Sequence, residues 1–473
     1  MKTGGHREMK RARIVTAVLL LLLAAAAGAS AVELEAGPVR AYGDNILAVT
    51  SEEGGRLTIE AWNGTLPLEN PVTDLKIEAG RVEIPWNGLS RGGEPVPAGK
   101  IRLRATLACW DRTTEQAETT VNAETPLTAA VCCLPSAQCF YPDGKNALKI
   151  EIALSAAGSW EASAAPKGHP EDIVWREKGR SDGREPVALR WSGMRRAGVK
   201  CEPGEYIISA RTKACPERVQ TAEVTILAEP LPEPALEVTG SLMPADFTDD
   251  AEVWKALTAP AVVGDGAEGS GLRIMGEKGA RTGYAGTVSC RTAGVAVLEI
   301  CEDGWVRVGA WTQQEGRYTE GWVKAEKLKV VRPNGRYGAV VDKKAQTMTV
   351  YGDGRKIGTV KVSTGHTTAE DRSADTHSGV YLMATRMEAF SQDGHIYCYP
   401  VRIDGKNLIH SSGFALENGL RDYEEERALL GTNASHGCIR VDPAATEENG
   451  GLNAWWVWTH LGRDTKIIVT PEE

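Results

Sequence analysis

Apolar and polar residues alternate in short runs along most of the chain, the period-two pattern of strands with one face buried. The runs are rich in Val and Thr and are broken by glycines and prolines, 51 and 23 of them. This predicts a turn-rich, mainly β protein. One alternating stretch occurs twice, as 82–107 (VEIPWNGLSRGGEPVPAGKIRLRATL) and 187–212 (VALRWSGMRRAGVKCEPGEYIISART). A constant offset aligns Trp86 with Trp191, Gly88 with Gly193, Gly99 with Gly204 and Ala105 with Ala210. Each copy reads as a strand ending in Trp, a glycine turn, then Pro/Ala-Gly and a second strand.

These repeats resemble the Ig-like sandwiches of bacterial surface and flagellar-hook-cap proteins, over about residues 33–228. Their tryptophans are expected in sandwich cores rather than on a ligand platform. Residues 229–237 alternate proline with other residues and read as a linker. Residues 246–257 read as a short helix. Two Gly-Trp-Val triplets, at Gly304-Trp305-Val306 and Gly321-Trp322-Val323, resemble a bacterial SH3-like barrel. The expected organisation is 1–31 export signal, 32–127 and 128–228 Ig-like domains, 229–258 linker, 259–332 SH3-like domain and 335–473 catalytic domain.

In the last segment, Ala339–Asp342 and Thr347–Tyr351 alternate as two strands. Gly352-Asp353-Gly354 then reads as the hairpin turn into a third strand, Lys356–Ser363. Asp442-Pro443 carries the signature of a helix start, with Trp455, Trp456 and Trp458 on the helix and Gly462 at its end. At the other end of the chain, Lys2, Arg7, Lys10, Arg11 and Arg13 precede an apolar run from Ile14 to Ala27. Ala29-Ser30-Ala31 follows as a small-x-small cleavage site. The run is short for a bilayer span of ~20 residues. A cleaved secretion signal is expected, with an uncleaved membrane anchor as the alternative. Either places the rest of the chain outside the cytoplasm, where the ten cysteines make disulfides plausible, including a Cys290–Cys301 pair. The formal net charge of −9 argues against a nucleic-acid partner.

The densest chemistry is Ser435-His436-Gly437-Cys438-Ile439-Arg440, with His410 upstream in Leu408-Ile409-His410-Ser411-Ser412. Nucleophilic thiol chemistry needs a sulfur, a base for its proton and N–H donors for an oxyanion. Cys438 supplies the sulfur. His410 and His436 compete as the base, and the N–H groups around Gly437 and Cys438 are oxyanion-hole candidates. The arrangement resembles the catalytic domain of the L,D-transpeptidase (YkuD-like) family, whose signature is a His, a spacer, then Ser/Thr-His-Gly-Cys. The "Val-Asp … Gln … Val-Tyr … Val-Ser-Thr-Gly" opening and Thr376-His377-Ser378-Gly379-Val380-Tyr381 resemble the same family, with His377 where the family often has proline.

The resemblance implies that His410 is the general base, oriented by the backbone carbonyl of Ser411, and that His436 supports the oxyanion. It implies peptidoglycan stem peptides as donor and acceptor, 3→3 crosslinking through a cysteine thioester, and no cofactor. Ser435 is expected to shape the loop and contact substrate. Arg440 is a candidate to hold a substrate carboxylate, or else an internal ion pair. Tyr397 and Tyr399 are candidates to line the cleft, or else core. The segment 416–427 lengthens the spacer between His410 and Ser435 and reads as an added loop or short helix, either a lid or a solvated insertion. Three other readings remain open: an L,D-carboxypeptidase using water in place of the amine, an inert wall-binding protein, and a zinc site made from His410, His436 and Cys438.

Overall fold

The repeated tryptophans end equivalent strands. Trp86 closes the strand Gly80–Trp86 and Trp191 closes Val187–Trp191, while Gly99 and Gly204 each open the strand that follows. Alternation buries both rings: Trp86 in a core with Leu47, Leu57 and Ile101, Trp191 in one with Ile150, Ile208 and Val224. The chain is seen in a computed structural model that describes residues 32–471, apart from 145, 196–197, 314–316 and 367–373. The expected export segment lies outside the described residues. Among the described residues, no helix is long and apolar enough to cross a membrane.

Four sets of sheets follow in chain order. The first pairs a three-stranded sheet with a six-stranded one around a single core, and the second pairs three strands with five. The third holds a five-stranded sheet and a two-stranded ribbon, Ala261–Gly264 with Leu328–Val331. The fourth is an eight-stranded sheet formed by β1 (Tyr337–Asp342), β2 (Thr347–Gly352), β3 (Arg355–Ser363), β4 (Gly379–Leu382), β5 (Val401–Asp404), β6 (Asn407–Ser411), β7 (Ile439–Val441) and β8 (Lys466–Val469). Its spatial order is β4-β8-β1-β2-β3-β7-β6-β5. The β2–β3 hairpin turns at Asp353 and Gly354, both in the left-handed region (φ 50° and 75°), as the Gly-Asp-Gly signal implied.

The last two sheet sets are fused rather than strung together. One continuous apolar cluster contains Ile274, Val297 and Val308 of the third set together with Val341, Met348 and Val469 of the fourth. The helix α1 (Asp250–Thr258), capped by Asp249, lays Val253 and Leu257 on β1 and β8. Gly338 permits that approach, since a Cβ there would meet Leu257 at 2.9 Å.

Two expectations fail. All ten cysteines are free thiols. Cys290 follows one edge strand of the five-stranded sheet in the third set and Cys301 follows the opposite edge strand, not an adjacent one, and the two are not joined. Asp442 does not begin a helix. Its carboxylate accepts from the Ala444 N–H at 2.9 Å in a turn, and the tryptophan helix starts later, as a helix Ala454–His460 capped by Asn453. Its signal is nonetheless the expected kind, with Asn453 Oδ1 accepting from Trp456 N at 2.8 Å. The segment 416–427 takes the short-helix form in part, and its residues 416–419 are exposed. It forms a hairpin, Ala415–Glu417 with Leu420–Asp422, and then the short helix α2 (Glu424–Ala428), so that Ala454–His460 becomes α3.

Trp191 is fully buried, edge-on to Phe140 at 5.4 Å and to Tyr206 at 5.6 Å, and stacked near Trp175. Trp191→Ala should therefore cost about 3–5 kcal/mol, the range for emptying a large aromatic site. Urea unfolding followed by tryptophan fluorescence checks this.

Candidate active site

The site is built where β7 inserts between β3 and β6. Strand β6 runs parallel to β7, with Ile409 opposite Ile439, His410 opposite Arg440 and Ser411 opposite Val441. Cys438 lies one residue before β7. The register therefore places it two residues back from His410, about 7 Å along the strand direction, with the same side-chain parity. Two residues 28 positions apart in sequence are brought to one side of one sheet by a three-residue parallel pairing.

The loop before Cys438 is anchored to the end of β3. Ser435 N and Ala434 N both donate to Thr364 O, at 2.9 and 3.0 Å, and His366 N donates to Ser435 O at 2.8 Å. Thr364 is itself held by Gln346, whose Oε1 accepts from Thr364 N at 2.8 Å while its Nε2 donates to Thr364 Oγ1 at 2.7 Å. The Thr376 hydroxyl joins two glycines, accepting from Gly365 N at 2.8 Å and donating to Gly437 O at 2.9 Å. Behind it, Lys343 and Asp375 form an ion pair at 2.7 Å, both side chains 2% exposed. Gly437 has φ 111°, and a Cβ there would stand 2.7 Å from Asn407 Oδ1. The requirement for glycine is thus both conformational and steric.

Ser435 is bonded within the loop. Its Oγ donates to Cys438 O at 2.5 Å and accepts from Gly437 N at 3.1 Å. The Gly437 N–H is thus turned toward Ser435 within the loop.

His410 is buried on β6, and its ring is walled edge-on by Tyr397 at 5.0 Å and Phe390 at 5.3 Å. Its Nδ1 lies 2.7 Å from Ser411 O. A carbonyl can only accept, so Nδ1 carries the hydrogen and Nε2 keeps the basic lone pair. Ser411 is fixed in turn, with its N donating to Cys398 O and its Oγ accepting from Cys398 N, both at 2.9 Å. Burial lowers the imidazole to about 4, with the Arg440 charge adding to the fall and the Ser411 carbonyl opposing it. Burial also raises the Cys438 thiol, against weaker opposite effects of the Leu408 backbone and Arg440. The resting site is therefore a neutral thiol beside a neutral imidazole.

The other expected residues fall differently. His436 is exposed. Arg440 is buried and its Nη1 pairs with Glu426 of α2 at 2.9 Å, so the internal ion pair is the alternative that occurs. Tyr399 lies off the site, packed on Trp455 and Trp458 with its hydroxyl donating to Glu94 at 2.7 Å. Its strand neighbour Tyr397 takes the place beside His410. Among the described residues, no group of three or more His, Cys, Asp or Glu side chains is arranged to hold a metal ion. Sequence reasoning assigned no role to Gln346, Thr376, Phe390, Asn407 or Glu426. The first two sit inside the quoted family-like strings; the others carry no local signal.

Residues 336–469 match the family model YkuD, the L,D-transpeptidase catalytic domain, which covers less than a third of the chain. No curated protein matches the chain. Solved structures with local similarity include an L,D-transpeptidase from Mycobacterium smegmatis, 14% identical over 48% of this chain and 87% of that one, with a TM-score of 0.23. Two others are L,D-transpeptidases from Mycobacterium tuberculosis. One is 16% identical over 43% of this chain and 98% of that one, with a TM-score of 0.23. The second, L,D-transpeptidase 1, is 18% identical over 35% and 71%, with a TM-score of 0.21. The eight-stranded sheet is formed by the segment that matches the L,D-transpeptidase catalytic-domain model.

The buried neutral His410 has a consequence for stability. An unfolded imidazole titrates near 6.5 and the folded one at about 4, so the unfolded chain binds the extra proton in that window. The contribution is fully present above ~6.5 and is lost as pH falls toward 4, to the extent of about 3 kcal/mol. Urea midpoints at pH 7 and pH 4.5 should show a smaller acid loss for His410→Gln than for the unsubstituted chain.

Proposed function

We propose that this chain is an exported, cysteine-dependent L,D-transpeptidase that makes 3→3 peptidoglycan crosslinks through a thioester. The observation that carries the reading is the His410 imidazole, held by Ser411 O with Nε2 free to accept, on the strand that pairs with the one Cys438 precedes. The match of the same segment to the L,D-transpeptidase family model supplies the substrate class. The two N-terminal sheet pairs and the third set are read as Ig-like and SH3-like spacers that carry the catalytic domain into the wall.

In this mechanism Nε2 of His410 takes the Cys438 proton as sulfur attacks the carbonyl joining the third stem residue to D-Ala. Because thiol and imidazole rest neutral, transfer accompanies attack rather than preceding it. The Cys438 N–H, at the start of β7, is the donor proposed to face the developing oxyanion, with His436 beside it. Collapse expels D-Ala, whose amine receives the proton from His410, and leaves a thioester on Cys438. The side-chain amine of a second stem then attacks, loses its proton to His410, forms the new amide and returns the thiol. Exclusion of water by the Tyr397 and Phe390 walls favours amine over hydrolysis.

The test is incubation of the chain with tetrapeptide muropeptides and mass spectrometry of the products. Crosslinked dimers and free D-Ala are expected. Tripeptides without dimers would reassign the site to L,D-carboxypeptidase chemistry, and unchanged substrate would leave a wall-binding protein. Cys438→Ala should abolish turnover, and His410→Ala should slow acylation by ~10²–10⁴-fold, the range for a lost general base. A carbapenem should add one drug mass to the peptide containing Cys438 and none to Cys438→Ala.

A further inference from the structure

The added segment between His410 and Ser435 reaches the site at one end and the far N-terminal part of the chain at the other. At the site, α2 delivers Glu426. Its Oε2 pairs with Arg440 Nη1 at 2.9 Å, and its Oε1 accepts from Tyr397 OH at 3.2 Å. The Arg440 guanidinium lies over the Tyr397 ring, 5.5 Å from its centroid, and Tyr397 walls His410. One carboxylate therefore fixes both the cation closest in register to His410 and the ring against which the imidazole packs. Its helix neighbours face elsewhere: Glu425 toward His395 at 3.5 Å and Arg427 toward Asp442 at 3.2 Å.

At the other end, the hairpin that precedes α2 is clasped by the turn Gly64-Thr65 of the first sheet pair. Thr65 N donates to Arg421 O at 3.2 Å, Thr65 Oγ1 donates to Asp422 at 3.2 Å, and Tyr423 N donates to Thr65 Oγ1 at 2.9 Å. Leu66 is buried in a cluster with Phe414, Tyr423 and Ala444. The fit tolerates no side chain at Gly64, which has φ 61° and whose Cβ would stand 1.7 Å from Arg421 O. Tyr423, held by Thr65, directly precedes the Glu424–Glu426 turn.

We propose that Glu426 is a positioning residue for the Cys438–His410 site, holding Arg440 neutralised and Tyr397 in place, and that the first sheet pair keeps Glu426 there through the inserted hairpin. The proposal rests on the assignment of Cys438 as the reactive thiol. Arg440 from β7 is the charge that acts on that thiol; Glu426 from α2 pairs with Arg440, Tyr397 from the strand His395–Tyr397 lies against Arg440 and His410 of β6, and His436 stands two residues before Cys438. Glu426→Gln keeps an acceptor for Tyr397 but removes the negative charge. Arg440 then acts uncompensated on Cys438, and a bare nearby cation favours thiolate.

The experiment uses the full chain, neutral iodoacetamide as probe, and mass spectrometry of the Cys438 peptide across pH 5–10. Glu426→Gln should alkylate faster at pH 7, by about threefold or more, with its midpoint moved to lower pH. Gly64→Ala, which displaces the hairpin, should move the midpoint in the same direction, and Thr65→Val serves where Gly64→Ala does not fold. A Glu426→Gln profile that superimposes on the unsubstituted one overturns the positioning role. Unshifted profiles in the Gly64 and Thr65 variants overturn the part given to the first sheet pair. Looser packing without charge coupling would change melting temperature and leave the midpoint unmoved, which also counts against the proposal. Alkylation needs no turnover, so a chain that labels as expected but leaves muropeptides unchanged would overturn the proposed function and not this inference.

Discussion

The short parallel pairing of β6 with β7 is the contact on which the site depends. Parallel strands need a long connection between them, and the stretch after Ser411 supplies it with a hairpin, α2 and the Ser435–Cys438 loop. A slip of one residue in this pairing would send His410 to the opposite face from Cys438. The register is held from both sides. Val362 and Ser363 of β3 pair with Val441 and Arg440, and the Thr364–Ser435 bonds fix the entry to β7. The polar scaffold around Gln346, Thr376 and the Lys343–Asp375 pair serves the same end. It gives the backbone of an irregular buried loop the partners that a sheet would otherwise supply.

Burial sets the character of the chemistry. A thiol raised and an imidazole lowered by the same apolar walls do not form a resting ion pair. In the proposed reaction, activation waits for a carbonyl in place, when proton removal and attack proceed together. In that reaction the thiol's reactivity depends on the few charges near it, of which Arg440 acts on it most directly.

Much of this was legible in the chain, because the signals are local. The period-two alternation, the Gly-Asp-Gly turn, the strand-ending tryptophans and the Ser435–Cys438 run all act within a few residues of themselves. The β2–β3 hairpin and the buried places of Trp86 and Trp191 follow from such signals. The failures are of another kind. Asp442-Pro443 is a sound helix start in isolation, but the carboxylate is used in a turn and by Arg427, and Asn453 caps the helix instead. Tyr397 and Tyr399 have the same spacing on paper. A left-handed backbone at Tyr399 (φ 62°) turns the second away toward Glu94. The grip of Thr65 on Tyr423 joins positions with no common pattern in sequence, so nothing short of the assembled structure could disclose it.

That grip also orders events in time. A chain made from its N-terminus presents the Gly64-Thr65 turn long before Arg421 and Tyr423 exist, so the first sheet pair must fold with its clasp empty. The closing of so long a loop adds little entropy beyond that of a shorter one, because the cost grows only with the logarithm of length. The clasp can therefore be the last contact made and still hold. A polypeptide cut short before residue 421 would carry the early sheets and His410 but lack Cys438 and Glu426, so an incomplete chain would hold no thiol at the proposed site.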